Sequence, residues 1–363
     1  MFKRSFWRNF DLWLLGAVLF LSIFGVIMIR SAVAGNVNLA GYAQRQATFL
    51  LVGIVLLAVV ALVDYRFWKS LSKLMYSFIV VFLLAILILG QVSFGAQRWL
   101  DVGFAIVQPA EIAKIVVILV LADYFDRTAN EKKDLKWVAK SLALVVGIVA
   151  WILLQPNLST SILIMVLWFS MVWISGLPIK YILTFGASAI VLFVAAFPLL
   201  EPYQQQRIMN FIAPDPNATH GNAYNVQQAL VSIGSGGLLG QGYGHGTQVQ
   251  LRFLQVRQTD YIFSSMANEF GFIGTSIVVG LLIFVVIRCI RAAKLAKDVY
   301  GSMIAYGFAT LIFFQTIVNI GVNLNVIPVT GLTLPFISYG GSSLVSLLIG
   351  IGFIESVISR RSM

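Results

Sequence analysis

The sequence predicts an all-α polytopic membrane protein. It has about ten transmembrane helices and a large extracytoplasmic loop between the seventh and the eighth. Three observations lead there. Of the 363 residues, 59% are hydrophobic and 11% charged, with a mean hydropathy of +0.91. Average soluble domains carry roughly 25% charged residues, so a water-soluble globule, a disordered chain and a collagen-like fibre are excluded. Ten segments each supply the roughly 20 mostly apolar residues that a membrane span needs. Finally, the net charge of +11 is unevenly placed along the chain. In a membrane protein this asymmetry points to topology, because Lys and Arg collect in cytoplasmic loops; nucleic acid is not implied as a partner.

The segments are 12–33, 46–63, 72–91, 106–125, 137–154, 158–176, 180–199, 261–287, 301–323 and 338–357. The first follows Lys3, Arg4 and Arg8 and resembles a secretory signal, but its length and the lack of a small-residue cleavage site predict a retained span. An even number of spans puts both termini on one side. That side carries 18 of the 25 Lys and Arg residues, including Lys180 and the stretch Arg288–Lys297. The termini are therefore expected in the cytoplasm. The whole chain, 1–363, reads as one ten-helix membrane domain, with 200–260 as its large outer loop. In that loop seven of the thirteen residues from Gly234 to Gly246 are glycine. Neither G-x-G-x-x-G nor a P-loop pattern is present, so this run is expected to pack closely on membrane helices rather than to cradle phosphate. Cys289 is the single cysteine, and an internal disulfide is impossible.

Ionisable residues inside a membrane are costly and mark candidate functional sites. The fourth span offers Gln108, Glu111 and Lys114; the last two are three residues apart, share a helix face and can pair. A structural ion pair competes with a functional one here, but Arg98 and Gln108 near the outer end of the element add a polar vestibule. Asp260 stands where the outer loop enters the eighth span; taken alone, it reads as a helix cap. Glu269 lies about two and a half turns deeper and can pair with Lys114 or cap another polar group. On the ninth span Gln315, Asn319 and Asn323 form a stripe expected to hydrogen-bond a neighbouring helix. From Asn325 to Ser343 the prolines and glycines forbid a regular helix. Irregular backbone at membrane depth must be buried or line a cavity. With the outer residues Arg30, Arg45, Arg98, Arg207, Arg252 and Arg257, these groups suit an anionic, amphipathic substrate, and to this point an enzyme and a transporter remain equal.

Taken together, four runs resemble the SEDS family of cell-wall polymerases (shape, elongation, division and sporulation). They are Pro335-Phe336-Ile337-Ser338-Tyr339-Gly340-Gly341-Ser342-Ser343; Gly95-Ala96-Gln97-Arg98-Trp99 with Gln108-Pro109-Ala110-Glu111 and Lys114; Gly234 through Gln248 leading to Thr259-Asp260-Tyr261; and Glu269-Phe270-Gly271-Phe272-Ile273-Gly274. The likeness covers the whole chain. Gly246-Thr247-Gln248-Val249-Gln250-Leu251 and Pro328-Val329-Thr330-Gly331 resemble the RodA branch more than the FtsW branch.

The resemblance implies a peptidoglycan glycosyltransferase of the bacterial cytoplasmic membrane, serving elongation and rod shape. It implies lipid II as substrate, undecaprenyl pyrophosphate as leaving group and a class B penicillin-binding protein as partner. Asp260 would be the catalytic acid. Arg98, Gln108, Glu111, Lys114, Arg207, Arg252, Glu269, Ser338 and Tyr339 would line the cavity. No organic cofactor is implied. The departing pyrophosphate needs positive charge, from arginine or from a divalent cation such as magnesium or manganese. Several positions depart from the family pattern: Ala110 for the usual serine, Asn157 for an aspartate, Gln258 for a histidine and Asn268 for a glutamate. A histidine beside the catalytic acid therefore does not carry over. A lipid II flippase and a division-type polymerase are the rival readings.

Overall fold

In the computed structural model, residues 9–89, 91–93, 96–101, 106–213 and 218–361 are described. Among the described residues fourteen α-helices follow in order: α1 (Leu12–Ala32), α2 (Tyr42–Leu62), α3 (Tyr65–Ser70), α4 (Ser72–Leu89), α5 (Pro109–Arg127), α6 (Leu135–Leu154), α7 (Leu158–Ile174), α8 (Ile179–Ala196), α9 (Pro202–Ile212), α10 (Gly221–Gly236), α11 (Thr247–Gln250), α12 (Ile262–Leu295), α13 (Val299–Asn323) and α14 (Gly341–Ser359). Between α4 and α5 lie three short antiparallel strands, β1 (Gln91–Ser93), β2 (Ala96–Asp101) and β3 (Ile106–Val107). Among the described residues six helices are long and apolar enough to cross a membrane: α1, α2 with the turn before it, α6, α12, α13 and α14.

Short polar side chains start many of these helices. Asp11 accepts from Leu14 N at 3.1 Å, Asp134 from Trp137 N at 2.8 Å and Asp298 from Gly301 N at 2.8 Å. Each satisfies an amide that the first turn leaves without a partner. Pro109 opens α5, where its missing N–H costs nothing. The most buried helices are α5 and α14, followed by α13, and α14 lies along α2. Small residues allow that approach: Gly352 meets the Leu57 backbone, and Gly53 meets the Leu348 side chain.

Among its described residues the segment 200–260 holds three helices, α9 to α11, and its glycine run performs a definite task. The helix α12 is broken at Gly271 (φ 66°, ψ −166°). Around the break, Gln241 N donates to Asn268 O at 3.0 Å and Gly242 N to Glu269 O at 2.9 Å. In return Phe272 N donates to Gly237 O at 2.9 Å and Ile273 N to Leu238 O at 3.1 Å. Backbone groups freed by the kink are thus satisfied by the glycine run, as buried backbone requires. Close packing is what this run was expected to provide.

Gly240 sits at φ +80°, where a Cβ would collide with the Glu269 carbonyl. Gly240→Ala is expected to destabilise the protein by about 1–3 kcal/mol. Gly16→Ala, on a helix with open space around it, is neutral or slightly stabilising. Thermal unfolding of both variants in detergent checks this; equal midpoints would show that the glycine run is loosely attached.

Candidate active site

The segment leading into α12 is pinned by its backbone. The carbonyl of Gln258 accepts from Tyr339 N at 2.9 Å, that of Thr259 from Ser338 Oγ at 2.8 Å, and that of Asp260 from Asn323 Nδ2 at 2.9 Å and Asn319 Nδ2 at 3.2 Å. Three consecutive peptides are therefore held by two other elements. Asn323 also accepts from Ser264 N and Oγ, at 3.0 and 2.6 Å, which ties α12 to α13. Asn319 further donates to Leu332 O at 2.9 Å. One turn deeper, Gln315 is buried with its amide unpartnered among the described residues.

This bracing aims the Asp260 side chain. The carboxylate is half-buried and makes no hydrogen bond among the described residues. It does not cap α12: Tyr261 holds the cap position without a side-chain bond. The expectation that Asp260 is a plain helix cap is corrected here, because its backbone carbonyl is tied to α13 and its side chain is left free. Gly331 (φ +78°) faces the carboxylate, and a Cβ there would lie 4.0 Å from Oδ2. Burial pushes the Asp260 carboxyl up to about 6, while the Arg207 guanidinium pulls it back down. Arg207 is on α9 and donates to Val329 O and Thr330 O, at 3.5 and 3.4 Å. It is thereby fixed to the same irregular segment that carries Gly331.

The opposite wall is the segment Pro335–Gly340. Phe336 takes φ 67° there. The Tyr339 ring stacks on Tyr42 with centroids 4.4 Å apart. Gln46 on α2 clamps the turn, donating to Ser338 O and accepting from Gly340 N, both at 3.2 Å. At the start of α14, Ser342 Oγ accepts from Gln108 N at 3.1 Å, and Ser346 Oγ donates to Glu111 Oε2 at 3.2 Å. Glu111 Oε2 in turn lies 2.5 Å from Lys114 Nζ, both buried.

The sequence-predicted residues therefore fall into three groups. Asp260, Arg207, Ser338 and Tyr339 meet in one cluster; of these Ser338 is buried and braces the Asp260 segment rather than lining a space. Gln108, Glu111 and Lys114 form a second group under the first turns of α14, linked to the first through Ser342 and Gly340. Glu269 belongs to neither. It accepts a hydrogen bond from Ser31 Oγ, and the expected alternative of a pair with Lys114 is corrected, because Lys114 is taken by Glu111.

The arginines expected on the outer side also divide. Arg257 is buried and donates to Ala32 O at the end of α1, so it is a strut rather than a substrate cation. Arg252 is exposed and donates to Gly35 O. The side chain of Arg98, on β2, lies outside the described residues. Sequence reading missed Gln46 altogether. A glutamine in an otherwise apolar helix was the available signal. It took Asn319 and Asn323 for helix glue, which they are, without seeing that what they hold is Asp260.

Residues 11–363 match the cell cycle protein family FtsW/RodA/SpoVE. The chain belongs to that family. Its members include peptidoglycan glycosyltransferase MrdB of Escherichia coli K12, 34% identical over 99% of this chain and 97% of that one. Stage V sporulation protein E of Bacillus subtilis is also 34% identical, over 97% of both chains. Among solved structures, a chain of a peptidoglycan synthase complex that coordinates polymerization and crosslinking matches with TM-score 0.84 and 29% identity, over 98% of this chain and 99% of that one. The rod shape determining protein RodA of Thermus thermophilus matches with TM-score 0.74 and 27% identity, over the same shares. The family fold is helical and membrane-bound, as the six apolar helices require.

Proposed function

We propose that the chain is a peptidoglycan glycosyltransferase of the RodA branch. It joins lipid II disaccharides into β-1,4 glycan strands for cell elongation and releases undecaprenyl pyrophosphate. The activity is that of its MrdB and FtsW relatives. The observation that carries the reading at the level of residues is Asp260: a free, half-buried carboxylate on a braced backbone, with Arg207 beside it.

In this reading the acceptor sugar's 4-hydroxyl attacks the anomeric carbon of the donor. Asp260 takes the hydroxyl proton, the bond from that carbon to the pyrophosphate breaks, and the pyrophosphate leaves with the electron pair. The anomeric centre inverts. A sugar hydroxyl is a weak nucleophile and needs a base in hydrogen-bond reach. Arg207, with Arg98 and Arg252, supplies positive charge to the leaving group. Gln108, Glu111, Lys114, Ser338, Tyr339 and Glu269 shape the cavity and its frame. Among the described residues no cluster of three or more His, Cys, Asp or Glu side chains stands together. A divalent cation such as magnesium or manganese, when bound with the substrate, would add positive charge at the departing pyrophosphate.

The reading includes ten membrane spans: α1, α2, α4 to α8 and α12 to α14. Both termini are in the cytoplasm, and 200–260 lies outside the bacterial cytoplasmic membrane. A class B penicillin-binding protein would crosslink the product. The MrdB-like sequence, the positive side of the topology and the synthase-complex relative support this.

The test is a gel assay with labelled lipid II, using purified protein alone and with its cognate transpeptidase, with and without magnesium. A glycan ladder is expected. Lipid II crossing vesicle membranes with no ladder would move the assignment to a flippase. The rate should also depend on pH with a definite sign. The base must be ionised, so polymerisation is expected to fall about tenfold per pH unit below about 6 and to level off above it. Arg207 lowers the Asp260 pKa, so Arg207→Gln should shift the inflection upward. A profile flat from about pH 5 to 8 would remove Asp260 as the titrating base.

A further inference from the structure

The end of the bundle opposite Asp260 holds a second polar site. Asp260 precedes the first residue of α12, and Arg288 and Arg291 lie near its other end, roughly 40 Å further on at 1.5 Å per residue. There the start of α1 and the ends of α12 and α14 border a cavity of about 230 Å³. Its walls carry three guanidinium groups, Arg288, Arg291 and Arg361, and one carboxylate, Asp11.

Asp11 is already committed. Its Oδ1 caps α1 through Leu14 N at 3.1 Å, and its Oδ2 lies 2.5 Å from Arg288 Nη2. Its backbone N–H donates to the buried Glu355 Oε2 at 2.9 Å. Arg288 and Asp11 therefore cancel. Arg291 and Arg361 are exposed, and their side chains have no hydrogen bond or ion pair among the described residues. Among the described residues two positive charges are left uncompensated around one concavity. Helix dipoles and the positive-inside bias place arginines near helix ends, but neither effect gathers them around a cavity with the carboxylate spoken for.

The rim of the cavity is apolar. Trp13 is 76% exposed and Leu12 71% exposed, at the end of a helix apolar enough to span. Tryptophan at such a level belongs to the membrane–water interface. A cationic pocket between helix ends with an aromatic–aliphatic rim has the same amphipathic order as a phospholipid. The geometry points to an anionic phospholipid site, with the phosphodiester between Arg291 and Arg361 and the acyl chains along Leu12 and Trp13. Guanidinium groups hold phosphate oxygens in bidentate fashion. The inference does not use the polymerase reading and holds whichever leaflet this end faces.

The test uses full-length protein in neutral detergent and native mass spectrometry. The probes are dioleoyl phosphatidylglycerol, dioleoyl phosphatidylcholine and inorganic phosphate. Wild type is expected to retain phosphatidylglycerol in clear preference to phosphatidylcholine. The double variant Arg291→Gln/Arg361→Gln should retain about tenfold less. Both arginines are exposed, so the variant should fold normally, checked by an unchanged unfolding midpoint in lipid-free detergent. Its polymerase rate in that detergent should also be unchanged. Equal retention of the two lipids by the wild type overturns the proposal without recourse to the variant. So does full retention by a folded variant, or displacement of phosphatidylglycerol by inorganic phosphate at matched concentration, which would mark a site for the free anion.

Discussion

Asp260→Asn is expected to lower glycan polymerisation by about 10² to 10⁴-fold, the usual worth of a general base, while leaving the fold intact. The geometry makes this a clean substitution. What holds the residue in place is its carbonyl, bound by Asn319 and Asn323, and asparagine keeps that carbonyl. The native side chain makes no hydrogen bond among the described residues, so none is lost. The folded state raises the Asp260 pKa to about 6, which means that folding favours the protonated form. That contribution is present at low pH and is lost as pH rises through about 6. Near pH 7 the wild type carries a desolvated charge that asparagine removes. The unfolding midpoint of Asp260→Asn should therefore equal or exceed that of wild type, whereas the ladder from labelled lipid II should vanish. Asp260→Glu restores the carboxylate but displaces it, and a misplacement of about 1 Å costs on the order of 10²-fold. A folded Asp260→Asn protein that polymerises within tenfold of wild type would sink the base assignment.

The bundle was legible because each long helix coincides with an apolar run that only a membrane can accommodate. Most helix ends were legible to within a few residues, and Pro109, Asp134 and Asp298 mark starts chemically; the exception is α12, which runs to Leu295, eight residues past the expected 287. The strands at 91–107 were not: they are short, interrupted by glycine and embedded between two apolar helices, so no alternation stands out.

For the site, residue types were easier to read than directions. Asp260, Arg207, Glu111 and Lys114 stand out as charges in an apolar chain. Charge alone does not say where a side chain points. Arg257 looked as suitable for pyrophosphate as Arg207, yet it is buried against the end of α1. Asn319 and Asn323 showed the spacing of one helix face, but a face does not name its partner, and the partner is a backbone carbonyl 63 and 59 residues away. Glu269 was left with two choices because sequence spacing cannot tell which neighbour arrives first. Ser31, on a helix far earlier in the chain, does.

The pair Glu111–Lys114 gives the second large effect, and it separates packing from function. Both side chains are buried, with Lys114 fully inaccessible, and they lie 2.5 Å apart at i, i+3. Lys114→Met leaves the Glu111 carboxylate with Ser346 Oγ as its one remaining partner among the described residues. An orphaned buried charge costs about 3–5 kcal/mol, so this variant is expected to unfold far earlier in detergent or to fail to accumulate. Glu111→Gln/Lys114→Met removes both charges together. Such double replacements are often close to neutral, because the desolvation penalty of the pair disappears with its attraction. The double variant should recover most of the lost stability, and a double-mutant cycle on unfolding midpoints measures the coupling. Its activity then decides the role. The pair sits under the first turns of α14, whose Ser342 holds Gln108 and whose Gly340 is clamped with the wall beside Asp260. If its charges shape the cavity, the stable double variant polymerises at least about tenfold slower, a loss of about 1.4 kcal/mol in the barrier. A double variant that is both as stable and as fast as wild type would reduce Glu111 and Lys114 to helix packing.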